Sequence, residues 1–105
     1  LSRGLGDVYK RQVISFDYGT AKEGVKFQRE YYQSNNQSCD TYTWNTNFGE
    51  ATALSITDTN YNVNETVSFV QLAESTYAYI SLASTDDFDS QRKAAEEIIN
   101  SMQVQ

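Results

Sequence analysis

The sequence has no histidine and no proline, and only one cysteine, one methionine and one tryptophan in 105 residues. Without histidine, neither a Ser-His nor a Cys-His nucleophile pair is available, and no imidazole metal site can form. A single thiol closes no internal disulfide and builds no cysteine-rich zinc site. Long hydrophobic runs are missing as well, since nothing approaches the roughly 18 apolar residues of a membrane-spanning helix. Basic residues are few, 8 against 14 acidic ones, which leaves a net charge of −6. Such a surface repels phosphate backbones, so nucleic acid is not an expected partner. No pattern in the chain requires a cofactor or a metal. The length allows one domain with one modest core.

The opening LSRGLGDVYKRQ, residues 1–12, differs in composition from the rest of the chain and resembles a translated sequencing-adapter tail. It holds Arg3, Lys10 and Arg11 and two of the five glycines, Gly4 and Gly6. It lacks the apolar core of a signal peptide. Setting it aside leaves residues 13–105 as a single domain with 5 basic and 13 acidic side chains. That domain is expected to be truncated, its native chain extending N-terminal of Val13. Residues 1–12 are expected to make no core contacts, although Asp7–Gln12 can extend a strand beginning at Val13 and join an open sheet edge.

From Val13 the residues alternate with the period of a strand. Ile14, Phe16 and Tyr18 alternate with Ser15 and Asp17. A polar turn bracketed by Gly19 and Gly24 comes next, and then Val25, Phe27 and Tyr31 alternate with Lys26, Gln28 and Glu30 as a second strand. Residues 34–40, rich in Asn and Ser, form a loop. Tyr42, Trp44 and Phe48 share one face of the next strand, Gly49 permits a bend, and Leu54 and Ile56 mark another strand. After a loop over 58–65, Val67 and Phe69 change phase with Val70 and Leu72, as in a bulged strand or one covered on both sides. In the last strand Ala78, Ile80 and Leu82 form the core face, with Tyr77 and Tyr79 opposite. The period then becomes helical. Ser84, Thr85 or Asp86 caps a helix over roughly 86–103 whose apolar stripe is Phe88, Ala95, Ile98, Ile99 and Met102. The expected fold is α+β: an antiparallel meander of five to six strands packed by one C-terminal amphipathic helix.

Local motifs are weak. Ser90 and Lys93 have the S-x-x-K spacing of penicillin-recognising enzymes, but its companion elements are absent. Asp58, Asn60, Asn62 and Asn64 alternate like calcium ligands, yet Val63 and Phe69 stand where an EF-hand needs Gly and Glu. Asp86, Asp87 and Asp89 suit a helix start. Glu30, Glu50, Glu65 and Glu74 could form a glycosidase-type pair only at a separation that the chain does not reveal. Cys39 has no basic neighbour to activate it. Tyr42, Trp44, Tyr77 and Tyr79 are the candidate binding residues, either as an aromatic platform or as ordinary core and cross-strand pairs.

From about Thr41 onward the order of elements resembles the PsbP/Mog1-type fold of bacterial envelope lipoproteins. The resemblance lies in the strand NFGEATALSI, the hairpin TVSFVQLAESTYAYISLA, and an acidic-capped helix ending with Ile98, Ile99, Ser101 and Met102. It covers about 65 of the 105 residues and implies a non-catalytic binding or assembly factor, without assigning any functional residue. Ser, Thr, Asn and Gln number 11, 10, 8 and 8, a composition associated with secreted and wall-associated proteins. The expected function is a non-catalytic, extracellular or envelope-bound binding or assembly module whose partner is a protein or a cell-envelope glycan. The alternatives are a carbohydrate-binding module using Trp44 and nearby tyrosines, and a fragment of a hydrolase.

Overall fold

The computed structural model describes residues 10–102. Its elements in chain order are β1 (Lys10–Tyr18), α1 (Ala21–Ser34), β2 (Asp40–Thr46), β3 (Gly49–Asp58), β4 (Val63–Ala73), β5 (Thr76–Ser84) and α2 (Phe88–Asn100). The five strands form one antiparallel sheet in the order β1-β5-β4-β3-β2. The run β2 to β5 is the expected meander, and α2 is the expected C-terminal helix. Strand β1 lies on the far edge, paired with β5, so the chain must cross the whole sheet to begin β2. Helix α1 makes that crossing and packs on β3, β4 and β5.

Helix α1 corrects the reading of residues 25–31 as a strand and raises the helix count from one to two. Its local cause is the Thr20 N-cap. Thr20 accepts from the Glu23 backbone N–H through its side chain at 3.2 Å, while its hydroxyl donates to the Glu23 carboxylate at 2.9 Å. Ala21, Gly24, Val25, Gln28 and Tyr32 then face the sheet at helical spacing, and Phe27 and Tyr31 are left exposed. Gly24 permits a close approach, since a Cβ there would sit 3.0–3.1 Å from the rings of Tyr77 and Phe69.

The sheet is therefore covered on both faces, which accounts for the phase change in β4. Val67 and Phe69 pack with Leu54, Ile56 and Tyr32 beneath α1. Val70 packs with Ala51, Ala78, Ile80, Leu82, Ala95 and Ile99 beneath α2, and a bulge interrupts the β4–β5 register between Gln71 and Ala73. Ile99 is fully buried in α2, and Ala95 almost so. The stripe also contains a residue that periodicity left out: Gln91, 3% exposed. Its Oε1 accepts from the Thr66 hydroxyl at 2.6 Å, and its Nε2 donates to Asn64 O and to Ser84 Oγ, both at 2.9 Å. The N-cap is Asp87 rather than a residue at 84–86. Its carboxylate accepts from the Ser90 N–H at 2.8 Å, which holds its pKa below the usual range, while Ser84 Oγ accepts from Asp86 N.

Strand β1 begins at Lys10, and Lys10, Arg11 and Gln12, all exposed, join the sheet edge in the way expected for Asp7–Gln12. They pair with Ser84, Ala83 and Leu82, and Lys10 and Arg11 reach Asp86 and Glu65 at 3.7 and 3.6 Å. The edge backbone of β5 offers hydrogen bonds to any extended segment that precedes Val13, which explains the extension. The rest of that segment lies outside the described residues. Among the described residues, no helix is long and apolar enough to cross a membrane.

Candidate functional site

The strand period places Tyr42 and Trp44 on the α2 face and Tyr77 and Tyr79 on the α1 face, so the four do not form one platform. Tyr42 and Trp44 stack with their ring centroids 5.8 Å apart. The Arg92 guanidinium covers the Tyr42 ring at 4.4 Å, and Trp44 packs against the core cluster under α2. Both rings are thus engaged within the molecule. Tyr77 and Tyr79 flank Phe69, whose ring meets that of Tyr79 edge-on at 5.5 Å. The Ser90–Lys93 spacing falls on the exposed side of α2. In the 58–64 segment, the Asp58 carboxylate accepts from the Asn60 N–H, and the Asn64 amide accepts from the Thr57 hydroxyl and donates to the Asp86 carbonyl, so these groups are engaged within the molecule.

A concavity lies at the C-terminal end of α1, near the turn between β3 and β4. About 580 Å³ in volume, it is lined by Tyr31 and Tyr32 of α1, Tyr61 of the turn, and Asp58, Glu65 and Gln37 among others. This falls within the ordinary range for small-ligand sites. Its floor holds Glu65, whose side chain is 23% exposed. The Ser81 hydroxyl donates to one carboxylate oxygen at 2.9 Å and the Tyr32 hydroxyl to the other at 3.3 Å. Burial, then the nearby Glu65 charge, pushes the Tyr32 pKa well above the tyrosine range and keeps it a hydrogen donor. Tyr61, 77% exposed, and Tyr31 both line the cleft.

No known protein family, curated protein or solved structure matches this chain.

The cleft's chemistry derives from its parts. A carboxylate fixed on two sides, by Tyr32 at one oxygen and by Ser81 and Arg11 at the other, is an oriented acceptor, and the exposed tyrosine rings are apolar surfaces with polar tips. Reading residues 25–31 as a strand hid this arrangement, because Tyr31 and Tyr32 enter it only on a helix. The Thr20-x-x-Glu23 pattern was the available signal. Tyr61 sat in a segment read as loop, and Glu65 in a set of acids with no known separation. Nothing local linked them.

Proposed function

We propose that this chain is a non-catalytic binding module of the cell envelope that takes a saccharide in the Glu65 cleft. The observation that carries the reading is the meeting, in one cleft, of exposed tyrosine rings with a carboxylate held from two sides. Sugars present apolar C–H faces with a rim of hydroxyls. Tyr31 and Tyr61 offer the stacking surfaces, and Glu65 and Gln37 offer directed polar partners. The bonds from Tyr32 and Ser81 orient Glu65 before a ligand arrives, which lowers the ordering cost of binding. The polar, histidine-free composition and the resemblance to PsbP/Mog1-type domains support the envelope location and the non-catalytic character.

A glycan array and then calorimetric titration of a bound glycan test this. Tyr61→Ala and Glu65→Gln should each weaken binding about tenfold, roughly the worth of one stacked ring or one charged hydrogen bond. Folded Trp44→Ala should bind like the parent. Loss in Trp44→Ala with Tyr61→Ala unaffected would move the site to the α2 face. Release of reducing sugar would overturn the non-catalytic reading, and an array without any bound glycan the saccharide reading.

A further inference from the structure

We propose that the cleft at the N-terminal end of α1 is a second binding site, one that takes a small quaternary ammonium ion between aromatic rings and two carboxylates. It encloses about 430 Å³ on the same face of the sheet as the Glu65 cleft and shares no lining residue with it. Tyr77 and Tyr79 supply the aromatic wall, backed by the buried ring of Phe69. Phe69 lies 5.5 Å from the Tyr79 ring and 6.3 Å from that of Tyr77. Phe27, 71% exposed, projects from α1 at the mouth.

Two carboxylates reach the same space: Asp17, opposite Tyr77 in the β1–β5 register, and Glu23 in the first turn of α1. Both act on Tyr77, whose pKa is raised first by burial and then by the charges of Asp17 and Glu23. No lysine or arginine lines the cleft. Among the described residues, the ion pairs are Lys10–Asp86, Arg11–Glu65 and Arg92–Asp89, so neither Asp17 nor Glu23 belongs to one. The N-terminus of α1 opposes a cation with roughly half a positive charge, but two full carboxylates outweigh it. Thr20 donates one hydrogen bond to Glu23 and Ser15 a long one of 3.5 Å to Asp17, and neither neutralises the charge.

The chemistry selects among ligands. An anion meets two like charges. A neutral apolar group gains the rings and leaves the carboxylates unanswered. A primary ammonium keeps a tightly held hydration shell in a cleft this open. A quaternary ammonium sheds water readily, lays its methyl groups against ring faces and offsets one of the two acid charges without needing an N–H donor.

Choline chloride is the probe, titrated at constant ionic strength against the neutral carbon analogue bearing tert-butyl in place of trimethylammonium. Backbone amide shifts by NMR locate the binding. Choline should move Gly24, Phe27 and Tyr77 with a Kd of about 1 mM, and the neutral analogue should bind about tenfold more weakly. Asp17→Asn, Glu23→Gln and Phe27→Ala should each weaken choline about three- to tenfold. Glutamine at 23 can still accept from Thr20, so the α1 cap persists. The proposal falls if the neutral analogue binds as well as choline. It also falls if these amides stay still up to about 50 mM choline, or if Asp17→Asn and Glu23→Gln retain the parent affinity. The result does not depend on the saccharide reading, because the two clefts have separate residues and separate probes.

Discussion

Replacing Gln91 by leucine keeps the volume of the side chain and removes three hydrogen bonds from beneath α2. The lost partners are the Thr66 hydroxyl, the Asn64 carbonyl and the Ser84 hydroxyl. Each bond is worth about 1 kcal/mol net, and a buried polar group left without any partner costs about 1–3 kcal/mol. Two of the partners keep some compensation: Thr66 lies 3.4 Å from Ser55 Oγ, and Ser84 Oγ still accepts from Asp86 N. Leucine also gains roughly 1 kcal/mol of transfer energy over the amide. The net loss should be about 2 kcal/mol for Gln91→Leu, and about 3–4 kcal/mol for Gln91→Ala, which adds a cavity. In a domain of this size 2 kcal/mol lowers Tm by about 10 °C. Urea denaturation checks this, with Ile99→Ala, expected to lose about 2–5 kcal/mol, as the apolar comparator and exposed Glu97→Ala, expected within about 0.5 kcal/mol of the parent, as the control. A Gln91→Leu midpoint at or above that of the parent would refute this, showing the amide to be a tolerated burial rather than a clamp.

Two further outcomes derive from the packing of α1. Gly24→Ala, a change that adds up to about 1 kcal/mol of helix propensity at an exposed site, should here destabilise by about 1–2 kcal/mol in thermal melts, because the rings of Tyr77 and Phe69 must give way. The raised pKa of Tyr32 has a pH consequence. Above about pH 10 the unfolded chain loses the phenolic proton while the folded chain keeps it, so stability should fall with rising pH. Tyr32→Phe should be less stable than the parent at pH 7, having lost the bond to Glu65, and should show a shallower decline of Tm between about pH 10 and 12. Tyr77 and Tyr79, whose pKa values are also raised, retain part of that slope in the variant.

The strands and α2 were legible because their patterns are local. Alternation marks one face of a strand over a few residues, and the stripe of Ala95, Ile98 and Ile99 marks α2 by itself. The sequence alone determined an α+β chain with an antiparallel sheet and a helix at its end. Helix α1 was not legible in this way. Apart from Tyr32, its inward residues, Ala21, Gly24, Val25 and Gln28, are small or polar, while the exposed Phe27 and Tyr31 helped mimic the period of a strand. Only the tertiary structure decides the matter, because Val67, Phe69, Leu54 and Ile56 leave an apolar sheet face that needs a cover, and the crossing from β1 to β2 runs over it. The same holds for both clefts. Glu65 meets Tyr32 from 33 positions away, and Asp17 meets Tyr77 across the β1–β5 pair. Contacts between distant segments leave no periodic trace in either one, since each side chain is chosen by a neighbour that its own stretch of sequence does not contain.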